Sequence, residues 1–125
     1  VLIALLLPLS LLACSGNHED PRITLCKRLT TDLAGVAGEP AWQDPQIAFR
    51  RPEYAAVSVA VDGENAPRAT CRYAYDLAEE SAMDHANPLL AYATLPYEMT
   101  LDGVAVPAAE LRRATSRAQL APLRI

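Results

Sequence analysis

The sequence predicts an α+β domain: a small antiparallel sheet built from two β-hairpins, with one helix before the sheet and one after it. Three observations carry this. Apolar residues recur at three- and four-residue steps over 23–36, which is the period of a helix. Apolar and polar residues alternate over 54–61 and again over 68–76, which is the period of half-buried strands. Asp102-Gly103 stands between two further apolar runs, a strong hairpin signal because both central residues of a type I′ turn need positive φ.

The first helix starts at Asp20-Pro21, a capping residue followed by a first-turn proline. Ile23, Cys26, Leu29, Leu33 and Val36 form its apolar stripe, and Gly38 marks its approximate end. Because Cys26 lies on that stripe, the helix presents its thiol to the surface it packs on. That surface is predicted to be a sheet carrying Cys71. From 38 to 52, Pro40, Pro45 and Pro52 among Gln, Asp and arginines read as a connector, with Trp42 and Phe49 plugging the edge of the core. In the first hairpin Val57, Val59 and Val61 share one face, and Asp62, Gly63, Asn65 and Pro67 interrupt the pattern. The returning strand turns Ala69, Cys71, Tyr73 and Tyr75 inward and Arg68, Thr70, Arg72 and Asp76 outward.

The stretch 77–96 is less regular. On a helix Asp76, Glu80 and Asp84 would stack four apart, and like charges at that spacing cost roughly a few tenths of a kcal/mol each. A short frayed helix or a loop is expected there, ended by Asn87-Pro88, with Leu89, Leu90, Tyr92 and Leu95 pinning the return. Tyr97, Met99 and Leu101 enter the second hairpin, and Val104, Ala105 and Val106 leave it. Pro107 opens the last helix, with Glu110 in its first turn and Arg112, Arg113 and Arg117 further on, the order a helix dipole favours. Leu111, Ala114 and Ala118 give it a narrow apolar stripe. Helices segregated to one side of an antiparallel sheet make an α+β layer architecture, whose strand order the sequence leaves open.

Residues 1–14 form an uncharged apolar run that stops at a small residue followed by a cysteine. The run is too short for a bilayer core, which needs roughly 20 helical residues, and has the length of a signal-peptide apolar region. Its end, Leu11-Leu12-Ala13-Cys14, resembles the lipobox of bacterial lipoproteins. The resemblance covers the leader alone. It implies cleavage between Ala13 and Cys14, a diacylglycerol on the Cys14 thiol and, as a rule, a further acyl chain on the new amine. Each buried methylene adds about 0.8 kcal/mol, so two or three chains make a stable anchor. Ser15, in place of an aspartate after the cysteine, implies sorting to the outer membrane, facing the periplasm. The chain then divides into a leader over 1–13, a lipidated tether over 14–20, a single domain over 21–120 and a tail over 121–125. No methionine, Lys or Arg precedes the apolar run, so the sequence is read as truncated or as starting at an unusual codon.

Eleven Lys and Arg stand against 15 Asp and Glu, a net charge of −4 that offers no basic field for nucleic acid. With one Phe and one Trp, the core must be rich in small residues. Once Cys14 is assigned to lipid, Cys26 and Cys71 remain as an even pair in an exported protein, where disulfides persist, and they are predicted to be bridged. Closing a loop of about 45 residues is worth roughly 4 kcal/mol, against the 5 to 15 typical of a domain. No third or fourth ligand stands at a metal-like spacing, so no metal is assigned to the pair.

Catalytic constellations fail at the inventory. Of the two histidines, His18 lies in the tether, which leaves His85 beside Asp84 as a sole candidate base with no nucleophile turn to serve. Asp76, Glu79, Glu80, Asp84 and His85 are close in sequence but lack the rhythm that wraps Ca²⁺ or the spacing that holds Zn²⁺. The prediction is a non-enzymatic, cofactor-free module that binds an envelope protein or peptidoglycan through an exposed sheet face or edge. Arg68 and Arg72, on the outward side of one strand, are the candidate contacts, complemented by acids of the adjoining connector. The alternative is a small-ligand carrier or minor envelope hydrolase built around Trp42, Tyr73, Tyr75 and Tyr92. A closed apolar cavity lined by those rings favours the carrier, and a packed core beneath a flat polar sheet face favours the module.

Overall fold

The computed structural model describes residues 19–76 and 87–120. The leader, Cys14 with the tether as far as His18, the connector bearing Glu79, Glu80, Asp84 and His85, and the tail over 121–125 lie outside the described residues. Helix α1 spans Pro21–Ala34, and the Asp20 carboxylate caps it by accepting from the Arg22 backbone N–H at 2.9 Å. It stops short of Gly38 because Gly35 adopts the left-handed conformation at φ 72°, and the Gly35 and Val36 N–H groups close back on Asp32 and Thr31. Ile23, Cys26 and Leu29 are buried, as the stripe predicts.

One five-stranded antiparallel sheet runs in the order β1-β2-β3-β4-β5. The strands are β1 Gln46–Arg50, β2 Tyr54–Ala60, β3 Arg68–Ala74, β4 Glu98–Leu101 and β5 Val104–Ala105. The two predicted hairpins are β2-β3, in the register Val57↔Cys71, and β4-β5, whose turn holds Asp102 at φ 53° and Gly103 at φ 82°. Pairing of Cys71 with Met99 joins them into a single sheet.

The span read as a connector over 38–52 contains strand β1, which pairs Ile47 with Val57 and Phe49 with Ala55. Pro45 and Pro52 bracket this strand instead of interrupting it, and an edge position tolerates them.

Both helices cover the same face of the sheet. Helix α1 lies over β2 and β3, and α2, Ala108–Leu120, packs against β4 and α1. Between the layers Leu29, Val57, Val59, Tyr73, Met99, Leu111 and Ala114 form one core. The Cys26–Cys71 disulfide crosses that core, with Cα atoms 6.0 Å apart and 45 residues of chain between the two positions. Neither helix packs broadly over β1, so Ile47 and Phe49, which point to the helix side, stay 38% and 40% exposed. No described helix is long and apolar enough to cross a membrane.

Candidate functional site

Alternation along five strands sends the core residues to one face and leaves the other uncovered. On the uncovered face, the register aligns Gln46, Ser58, Thr70 and Thr100 in one row across β1 to β4. Adjacent strands lie about 4.8 Å apart, so neighbouring hydroxyls in this row are within reach of one another. Ser58 Oγ and Thr70 Oγ1 meet at 2.9 Å. Ala60 lies on the same face and is too short to fill it, which lowers the floor beside the row. The result is a shallow depression of about 390 Å³, floored by Ser58, Ala60, Thr70 and Thr100, with Gln43, Asp44 and Arg68 along its rim.

The two arginines singled out from the sequence both lie on this face, in different states. Arg72 holds its guanidinium 4.8 Å from the centre of the Tyr54 ring and pairs with Glu98 at 3.0 Å. The pair is exposed, so it contributes only about 0–1 kcal/mol, but with the ring it forms a flat polar platform at one end of the face. Arg68, at the other end, donates its backbone N–H to the Asp102 carboxylate at 3.1 Å. Its guanidinium is exposed and meets no acceptor among the described residues. Glu98 is a partner that sequence reasoning missed, because it arrives through the β3-β4 register. The connector acids proposed as complements lie outside the described residues, apart from Asp76.

The aromatics grouped as a possible ligand pocket are on the opposite face and do not converge on a cavity. Tyr73 and Tyr92 are fully buried. Tyr75 meets Tyr92 edge to face with ring centres 5.4 Å apart, and Phe49 approaches the same ring at 5.7 Å. Trp42 pairs with Val61 at the far end of β2, with the Lys27 ammonium 5.5 Å from its ring centre. These rings fill the core and its edges.

A buried polar cluster holds the N-terminal end of α1, and nothing in the sequence pattern announced it. Arg22 sends Nη1 to the Asp20 carboxylate at 3.0 Å and Nη2 to the Tyr92 carbonyl at 2.6 Å, while Nε serves the Tyr92 and Ala93 carbonyls. Asn87 donates its side-chain amide to Asp20 at 2.8 Å, and the Tyr73 hydroxyl donates to the Arg22 carbonyl at 2.6 Å. Burial by itself would raise the Asp20 pKa, but the Arg22 N–H, the guanidinium and the Asn87 amide outweigh it and hold the carboxyl below its ordinary value. Burial pushes the Tyr73 hydroxyl far above the usual phenol range. Every strong donor here is engaged within the fold, so the cluster is structural.

Among the described residues, no group of three or more His, Cys, Asp or Glu side chains is placed to share a metal ion. Both histidines lie outside the described residues. With Cys26 and Cys71 bridged, no free thiol remains among them. Comparison with protein-family models, with curated proteins and with solved structures finds no match for this chain.

Proposed function

We propose that this chain is an outer-membrane lipoprotein, anchored through Cys14, whose periplasmic domain acts without catalysis by binding an envelope protein or the cell wall on its uncovered sheet face. The lipobox-like leader supports the anchor. What carries the binding reading is the combination of a packed aromatic core with an open, hydroxyl-lined face, the arrangement that favours a module over a carrier. The row Gln46, Ser58, Thr70 and Thr100 offers hydrogen bonds to an extended partner, while Arg68 gives an exposed charge at one end that meets no acceptor among the described residues. Flat complementarity of this kind sets partner choice more than affinity.

The test is site-specific photo-crosslinking in intact cells of the native host, with the leader and tether in place. A photoreactive residue at Thr70 is expected to capture one discrete partner, and the same residue at Arg113, on a helix, is not. If Thr70 yields no adduct, or the same adducts as Arg113, the sheet face is not the binding surface.

A further inference from the structure

The two ends of β3 mark two poles of the domain. At one, the C-terminal end of α2 meets the N-terminal half of α1 beside Leu95, enclosing a groove of about 490 Å³ lined by Pro21, Leu25, Leu95 and Ala118, with Arg28 at its mouth. Leu95 is 42% exposed and Leu120, at the end of α2, is 80% exposed. Arg28 bonds the Ala118 carbonyl at 3.3 Å and keeps its guanidinium at the surface. At the opposite pole lie Asp62, Glu64 and Asp102. The geometry separates them: Arg22 at the start of α1 meets Tyr73 near the end of β3, while Asp102 bonds Arg68 at its beginning.

We propose that the groove pole is a seat for the anionic bilayer surface, so that Leu95, Leu120 and Arg28 rest among lipid headgroups and the loop bearing Asp62 and Glu64 faces away. This rests on the lipid-anchor reading above. The tether argues for the occupant: Glu19 lines the groove, and the five residues from Cys14 to Glu19 reach at most about 18 Å when extended. A lipidated Cys14 therefore brings this pole, before any other, to the membrane. Exposed leucines beside Arg28 suit such a surface, since apolar side chains enter the headgroup boundary while an arginine gains roughly fivefold in partition from anionic lipid. Seated this way, the protein leaves both the hydroxyl row and Arg68 open to the periplasm.

The full lipidated protein, purified from cells, is reconstituted into phosphatidylethanolamine–phosphatidylglycerol vesicles carrying a headgroup nitroxide. A fluorophore is placed at Gln119→Cys or at Glu64→Cys. The dye at 119 is expected to lose most of its emission and the dye at 64 to keep it. Adding Leu95→Glu and Leu120→Glu, both at exposed positions, should return the emission at 119 to the level seen at 64 while the protein still floats with the vesicles. Equal quenching at 119 and 64 on protein that floats overturns the seat and leaves the anchor standing. Protein that does not float with the vesicles overturns both.

Discussion

Replacing Arg22 by methionine keeps the length and bulk of the side chain but strands the Asp20 carboxylate, which is 8% exposed beside a guanidinium that is 4% exposed. Breaking one half of such a buried pair costs about 3–5 kcal/mol, chiefly because the remaining charge has lost its partner. The carbonyls of Tyr92 and Ala93 lose their donors as well. Against a total stability of about 5–15 kcal/mol, Arg22→Met should therefore unfold at a much lower urea concentration than the parent at pH 7, with the disulfide intact and far-UV circular dichroism as the readout. Combining it with Asp20→Ser, which keeps a capping hydroxyl but removes the stranded charge, should recover part of the loss. The pH dependence has a definite sign. Asp20 titrates below its ordinary value of 3.8 in the folded state, so its contribution is complete above that value and is lost as the pH falls through the folded pKa. The stability gap between the parent and Asp20→Asn should thus narrow in strong acid. A loss of under about 1 kcal/mol for Arg22→Met, or a double variant no more stable than the single one, would refute the assignment of this cluster as a buried, coupled lock.

Reduction of the disulfide, or Cys26→Ser with Cys71→Ser, should lower stability by about 4 kcal/mol in the same urea assay, from the 45-residue loop it closes. Gly103→Val, at φ 82°, should cost roughly 1–2 kcal/mol because a β-branched residue resists the left-handed region, whereas Gly103→Asn should cost less. Thr70→Ala leaves the packed face untouched and should shift the urea midpoint little, while reducing any crosslinked partner adduct captured from a probe at Thr100. Cys14→Ser should block lipidation and leave an unprocessed precursor, seen as a larger species by mass spectrometry. A normally processed, membrane-bound product from that variant would remove the lipoprotein reading.

Much of the fold was legible in the sequence because its strongest patterns coincide with burial. The valines of β2 and the Ala69-Cys71-Tyr73 face of β3 alternate because one side of the sheet is covered. Asp20-Pro21 and Asp102-Gly103 mark ends and turns by local backbone chemistry. Strand β1 escaped because all five of its residues are exposed, so nothing selects a long apolar alternation, and flanking prolines mimic a connector. Of the site, the outward placement of Arg68 and Arg72 followed from periodicity. The pairing of Arg72 with Glu98, the hydroxyl row and the burial of Arg22 did not, because each depends on which distant segments become neighbours.

The covalent link between Cys26 and Cys71 also bears on mechanical load. A pull applied at residue 19 enters at the beginning of α1, where only the turns before Cys26 can unravel before tension reaches a bond joined to an interior strand. Beyond that point the load passes through the disulfide to β3, which is hydrogen-bonded to β2 on one side and to β4 on the other. A domain stitched in this way keeps its shape when it is drawn by residue 19, and reductants would convert it into one that yields from that end upward.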